Sequence, residues 1–531
     1  MGLVAFVYGG SLSHGFAFDD WPLVVENPVA MWPPSRVLDL FDAGASGVTY
    51  RPVRMFSYMV DHSIAGGLEP SVFHATNVAY HAAAVLALYA LAALALGSSL
   101  AAWLAAALFA VHPLGTEAVA YVAGRRDVLA GLFALLSLLA WWIFCERSAR
   151  HGSATALGGT LVATLLAAIL ALGAKENAAV LPALAALLFV VQARRRGESL
   201  PRPSARTWVA LALCVAVLAF VVDQVYAERV REAVARLGGE PLAPQPALSL
   251  RVLGQYGWLS LWPAKLSADY RPPAWELPTS PLDVPSIVVG IALVLVVALG
   301  AALTWRGRVA GAGLLWFVIA LLPVLQIVPY REVVAERNAY LPLAGLALAS
   351  GDLAASVARR SPRGVLTVGI LLVGLLAWRA HARAAVWADD ETLWVATLDA
   401  RPSSVRAKHN LAIVYAKRGR LERARRELRS ALEDAPEQIE VLSTLATVEG
   451  RLGNDPAAIE LAERAVEIEP GAETLSFLGW ARVAAGADAS ARKAFLRALR
   501  HEWRHAEARR GLEGIRARER QRRHLRHGRA R

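Results

Sequence analysis

Gly15-Phe16-Ala17-Phe18-Asp19-Asp20-Trp21-Pro22-Leu23-Val24-Val25-Glu26-Asn27-Pro28 sets two adjacent carboxylates directly after an apolar segment. About fifty residues without a long apolar run follow, so the pair falls at a membrane surface and not inside the bilayer. That address suits chemistry on a lipid-linked substrate. Beyond it, apolar runs of spanning length lie at about 73 to 97, 98 to 111, 128 to 145, 154 to 173, 177 to 193, 206 to 223, 284 to 304, 309 to 328, 339 to 356 and 364 to 380. With the apolar start these make about eleven spans. The expectation is an all-α, polytopic membrane bundle.

Composition agrees. The 531 residues are 56% hydrophobic and only 19% charged, which is too apolar for a soluble core alone. The net charge of +12 does not call for nucleic acid, because the arginines sit in short runs between apolar segments and in the last thirty residues. Cys145 and Cys214 both lie within apolar segments, which excludes a disulfide framework or a zinc cluster and leaves the redox compartment unread. Met1 to Leu12 lacks a basic n-region and is too short to span hydrocarbon, so the expectation is a first helix that begins upstream, with no cleavable signal peptide.

Arg147 with Arg150, Arg194-Arg195-Arg196 with Arg202 and Arg206, Arg306 with Arg308, and Arg359-Arg360 with Arg363 fall on alternate connections. One cytoplasmic side would collect them. The other side then receives the aspartate pair, a turn-rich loop (Met31 to Pro34, Gly44 to Gly47), the loop His112 to Asp127, the long loop from about 223 to 283, the loop Pro329 to Asn338, and everything after residue 380.

Past 380 the chain changes character. Pro402, Pro436 and Pro470 recur every 34 residues, the tetratricopeptide period. Asn410 to Pro436 makes one full unit and Leu445 to Pro470 a second. A looser third contains Phe477 to Ala481 and Ala494 to Ala498, and a half-unit, Trp387 to Ala400, joins the array to the last span. Such helix pairs stack into a solenoid whose groove binds extended peptide. The division expected is 1–380 for the membrane body, 381–513 for the repeats, and 514–531 for an Arg-rich tail with no apolar face, read as disordered.

Transfer of a sugar from a polyprenyl phosphate needs a base for the acceptor proton and cations for the departing phosphate. Asp19 or Asp20 could be the base, since a carboxylate beside apolar lipid and a like charge has its pKa pushed upward. Its neighbour could align the acceptor or hold a divalent cation. Cations on the same side are Arg51, Arg54, Arg125, Arg126, Lys175, Lys265, Arg271, Arg331 and Arg337; of these Arg126 and Arg337 are preferred for the phosphate. Structural readings stand beside these. Asp20 before Trp21-Pro22 is also a respectable helix cap. Arg125/Asp127, Lys175/Glu176 and Glu336/Arg337 could be local ion pairs that anchor helix ends. His74, His81 and His112 have no tight ligand spacing and read as packing residues.

The series Phe18-Asp19-Asp20, Tyr50-Arg51-Pro52, His74 and Asn77 with His81, His112-Pro113 with Thr116 to Val119, Gly124 to Ala130, Lys175-Glu176, Leu261 to Pro263 with Asp269-Tyr270, and Ala335-Glu336-Arg337 with Tyr340 to Pro342 resembles the transmembrane and tetratricopeptide repeat-containing O-mannosyltransferases and their bacterial relatives. The resemblance covers nearly the whole chain. It implies a GT-C-like body with a catalytic acidic pair in the first outward loop, Asp19 and Asp20. It also implies an inverting transfer of mannose or another hexose from a polyprenyl-phosphate donor to Ser or Thr of an exported protein. Donor-binding residues expected on this basis are Arg51, Arg126, Lys175, Arg337 and Tyr340; a divalent cation is possible as cofactor. The expected setting is a bacterial inner membrane, with the acidic loop and repeats on the periplasmic side and the acceptor in the repeat groove. A non-enzymatic membrane scaffold and a polymerase or ligase of lipid-linked glycans are the alternatives.

Overall fold

The computed structural model describes residues 1–41, 51–150, 154–198, 212, 246–278, 280, 283–327 and 332–528. The apolar run at 206 to 223, together with Tyr50, Cys214, Arg331 and the Gly44 to Gly47 turn, lies outside the described residues. Among the described residues the regular structure is entirely helical. Their contacts divide the chain into two units, Met1–Tyr270 with Leu277–Leu393 and Arg271–Glu276 with Trp394–Arg531. The segment 381 to 393, read from the sequence with the repeats, falls in the first unit.

Seven helices of the first unit are long and apolar enough to cross a membrane: Pro70–Leu96, Val122–Ala149, Thr155–Ala174, Glu176–Arg195, Val284–Trp305, Glu336–Ala358 and Pro362–Ala385. Ser99–Val111 and Pro113–Val119 pass the same test as a pair bent by 52°, and Gly2–Ser13 and Val309–Val324 are shorter apolar helices. Each apolar run outside 206 to 223 thus falls on a helix, and the chain is an integral membrane protein. Val284, Val294 and Leu295 on Val284–Trp305 are 64 to 70% exposed, as suits a face turned to lipid. Between helices, small residues permit close approach: a Cβ on Gly313 would strike the backbone of Gly345, and one on Gly131 would meet the Tyr340 ring at 2.5 Å.

The basic connections gather at one end of this bundle. Arg194 donates to Trp305 O at 2.7 Å and lies over its ring, and Arg308 pairs with Asp352 at 3.0 Å near the close of Tyr340–Ala358. At the opposite end Lys175, Asp127 and Asn338 meet where three membrane helices begin. Alternate connections therefore do lie at opposite ends, which is the geometry the arginine pattern requires.

Two helices went unread in loop segments. Pro52–Ala65 starts with proline in its first turn and stops at Gly66 with φ 65°, the ordinary start and stop of a short helix. Pro246–Leu261 lies within the long loop. Both are too polar or too short to register as spans.

In the second unit the 34-residue period becomes three helix pairs: Val405–Lys417 with Leu421–Asp434, Ile439–Arg451 with Asp455–Ile468, and Ala472–Ala484 with Asp488–His501. Gly419, Gly453 and Gly486 turn each pair at φ 74°, 80° and 73°, a region glycine enters without strain. Small buried residues, Ala424, Ala458 and Ala491, let each second helix settle on the first. The tail departs from expectation. Ala506–Gly528 is one helix running through the segment read as disordered, because Ala508, Leu512 and Ile515 form an i, i+4, i+7 stripe buried against Leu475 and Phe495. That stripe closes the end of the solenoid, and its apolar residues straddle the boundary drawn at 514.

Candidate functional site

The acidic loop is held from both sides. Ala17 N–H and Ala123 N–H donate to the two oxygens of Asp20, at 3.0 and 2.7 Å. Asp390 accepts the Phe18 N–H at 2.6 Å and the Trp21 indole N–H at 3.2 Å, and the Tyr121 hydroxyl accepts the Asp19 N–H at 3.0 Å. Phe18 is left at φ 52°, a left-handed conformation that costs a non-glycine residue about 1 kcal/mol or more. Its ring lies on Tyr121, which lies in turn on Trp387 at 4.8 Å between centroids.

This geometry separates the two aspartates. Asp20 is 1% exposed and makes no helix cap; its carboxylate ties the loop to the Val122–Gly124 turn. Burial pushes it up to about 8, the two backbone donors act against that, and Asp19 adds to it. Asp19 is half-buried, and its carboxylate accepts no hydrogen bond from any described residue. Of the pair, Asp19 alone has oxygen atoms available to a ligand. Asp20→Ala would orphan two buried N–H groups, at about 1–3 kcal/mol each.

The cations do not form the local pairs the sequence suggested. Neighbours along a helix start point apart, and each finds a carboxylate elsewhere in the chain. Arg125 pairs with Asp61 and also donates to Asn77, Ser57 and the Phe73 carbonyl, a wholly structural hub. Glu176 takes Arg51 through a fork at 2.9 to 3.1 Å. Lys175 reaches Asp127 at 2.5 Å and Asn338 at 2.7 Å. Glu336 meets Arg383 at 3.2 Å, while Arg337 is bound by Glu117 through both its guanidinium and its backbone N–H. Tyr340 shares a hydrogen bond with His81 at 2.7 Å and packs its ring on Gly131, while also lining, with Lys175, Asp127 and Asn338, a small cavity of about 20 Å³.

Among the described residues near Lys175 and Asp127, two guanidiniums are short of partners. Arg126 approaches Asp127 only at 3.5 Å, and its Nε is buried without a hydrogen bond. Arg54, 1% exposed, has no carboxylate in ion-pair contact and no hydrogen bond at Nε and Nη1 among the described residues, Glu176 acting on it only from a distance. Burial pulls it down to about 10, and the charges of Arg51 and Arg126 push the same way. An unpaired buried ion of this kind costs a fold several kcal/mol. Of the two arginines preferred from the sequence, Arg337 is thus engaged by Glu117, whereas Arg126 keeps only a long contact with Asp127. Nothing in the order of residues marks Arg54 above Arg125; what distinguishes them is that Asp61 lies under one alone. Asp390 was also missed, because it lies 372 residues from Phe18 in the loop it holds.

Among the described residues no group of three or more His, Cys, Asp or Glu side chains could hold a metal ion. With Asp20 engaged by backbone, the aspartate pair offers a divalent cation the carboxylate of Asp19 alone, so such an ion would rest mainly on a substrate's phosphate.

The acid with free oxygens therefore lies at the same end of the bundle as Arg126 and Lys175. No family model matches the chain. Human protein O-mannosyl-transferase TMTC2 is 30% identical over 296 residues, covering 52% of this chain and 34% of that protein. Mouse protein O-mannosyl-transferase TMTC4 is 24% identical over 475 residues, 78% of this chain and 63% of that protein. The chain is similar to the protein O-mannosyl-transferases. It spans about a third of the human relative and less than two thirds of the mouse one. The crystal structure of yeast Tom70 aligns at 13% identity over 75% of this chain and 89% of that chain, but a TM-score of 0.23 carries no argument. The likeness read in the acidic loop and the later motifs thus agrees with the likeness to these transferases.

Proposed function

We propose that the chain is an inverting glycosyltransferase that moves mannose or another hexose from a polyprenyl phosphate to a Ser or Thr hydroxyl of an exported protein. The observation that carries this reading is the division of labour in the acidic loop, where Asp20 is spent on backbone and Asp19 is not. The likeness to named protein O-mannosyl-transferases supports it.

In this reaction the acceptor hydroxyl attacks the anomeric carbon from the face opposite the phosphate. Its proton passes to Asp19, the new C–O bond forms, and the bond to the phosphate oxygen breaks with its electron pair. The phosphate needs no acid, because it leaves as a stabilised anion. Arg126 and Lys175 hold it, while Arg51 stays tied to Glu176 and Arg337 to Glu117 as the walls that fix their positions. Asp20 and Tyr121 position the base and touch no reacting atom. The repeats would capture the acceptor as an extended segment, and the periplasmic side of a bacterial inner membrane is the setting proposed for the acidic loop.

The test is incubation of membranes carrying the chain with labelled mannosyl phosphoryl polyprenol and exported proteins, followed by mass spectrometry of the products. Hexose on Ser or Thr, absent when nucleotide-mannose is the only donor supplied, is the expected result. Transfer onto a lipid-linked glycan would favour the polymerase reading, and no transfer with partner capture by the repeats would favour the scaffold.

A further inference from the structure

Four cations, Arg51, Arg54, Arg126 and Lys175, surround two carboxylates, Asp127 and Glu176, and are coupled to one another electrostatically. The adjoining Arg125 and Arg337 are each cancelled by a carboxylate of their own. Arg51 has its fork on Glu176 and Lys175 its contact with Asp127, so the cluster's surplus resides on Arg126 and, above all, on Arg54. Arg54 is enclosed by Tyr58, one turn along its helix, at 6.0 Å from the ring centroid. A guanidinium held in that way, with Glu176 acting from a distance and no carboxylate of the described residues in contact, is suited to an anion from outside.

The charge of that anion changes in the proposed reaction. A sugar-phosphate diester carries one negative charge, and the polyprenyl phosphate it leaves is a monoester carrying close to two at neutral pH. A cluster with a surplus of two matches the leaving group better than the donor. We propose that Arg54 answers the charge that develops on the departing phosphate, so that this site binds a polyprenyl phosphate monoester more tightly than the corresponding diester. This rests on the reading of the chain as a polyprenyl-phosphate transferase and deepens it. An interaction that strengthens as the bond to phosphate breaks raises kcat, not donor affinity. It also makes the spent carrier lipid a product inhibitor.

The experiment uses the purified full chain in detergent, with citronellyl phosphate as monoester probe and its methyl ester as diester probe. Affinities are measured by titration calorimetry for the wild type, Arg54→Gln and Arg54→Lys. The wild type is expected to prefer the monoester by about tenfold, as one further charge-assisted contact implies. Arg54→Gln is expected to lose that preference while its diester affinity stays within about twofold, and Arg54→Lys, which keeps the charge, to retain most of it. Equal affinity for both probes in the wild type, or an undiminished preference in Arg54→Gln, overturns the proposal. Should Arg54→Gln fail to fold, a complete loss of the preference in Arg54→Lys overturns it too, since charge would then not be the cause. Binding as expected without sugar transfer by the wild type would leave the anion site standing and overturn the transferase reading; transfer with equal probe affinities would do the reverse.

Discussion

Asp20 and Lys175 are where burial acts on single groups. Asp20 has a folded pKa raised to about 8, above the ordinary carboxylate value, so the folded chain binds its proton more tightly than the unfolded one. Its contribution to stability is therefore full at low pH and lost as pH rises from the carboxylate range through about 8. Melting followed across that window should show a downward slope that Asp20→Asn flattens; an unchanged slope in the variant would contradict the assignment. Lys175 runs the other way. Burial pulls its ammonium down to about 8, Asp127 opposing, so it is charged below that pH and neutral above. On the proposed reading, kcat/KM for the anionic donor should fall as pH rises through about 8, and Lys175→Arg should remove the fall. A wild-type profile flat well beyond that pH would show that Lys175 does not hold the phosphate.

Among elements, the turn Val122–Gly124 has the heaviest duty, since it feeds Ala123 N–H to Asp20 and opens the helix that carries Arg125, Arg126 and Asp127. A Cβ on Gly124 would strike the Glu117 carbonyl and come within 2.6 Å of Ala118 O, backbone that cannot rotate away. Gly124→Ala should cost about 1–3 kcal/mol and cut activity, whereas Gly67→Ala, with nothing within 4 Å, should do neither. Denaturant unfolding of the two variants checks this. The spans and repeats were legible because each is written locally, in a run of about twenty apolar residues or a proline every 34. The aspartate loop was legible for a like reason, as two charges at the end of an apolar segment. Its partners were not. Ala123 N–H, Tyr121 and Asp390 reach it from over 100 and over 370 residues away, and the ion pairs Arg51–Glu176 and Arg337–Glu117 span 125 and 220 residues. The local pairs Arg125/Asp127, Lys175/Glu176 and Glu336/Arg337 give way to partners far along the chain. The tail erred in the opposite sense: its arginines hid a stripe of three apolar residues.

For the whole molecule, the end of the bundle bearing Arg194, Arg308 and Arg359 and the end bearing Asp19, Lys175 and Arg337 must face opposite sides of a membrane. With the basic end cytoplasmic, an Asp19→Cys variant in sealed right-side-out vesicles should react with an impermeant maleimide from outside, and Arg359→Cys should not. The reverse pattern would put the acidic loop where an exported acceptor never passes. The most direct measurement concerns Asp19 itself. Purified wild type, Asp19→Asn and Asp390→Asn are given mannosyl phosphoryl polyprenol and an exported acceptor, and single-turnover transfer is timed beside thermal unfolding. Loss of a general base predicts that Asp19→Asn slows transfer by about 10²–10⁴-fold with its melting unchanged, while Asp390→Asn, which loosens the loop, lowers both. Transfer by Asp19→Asn at the wild-type rate would contradict the account.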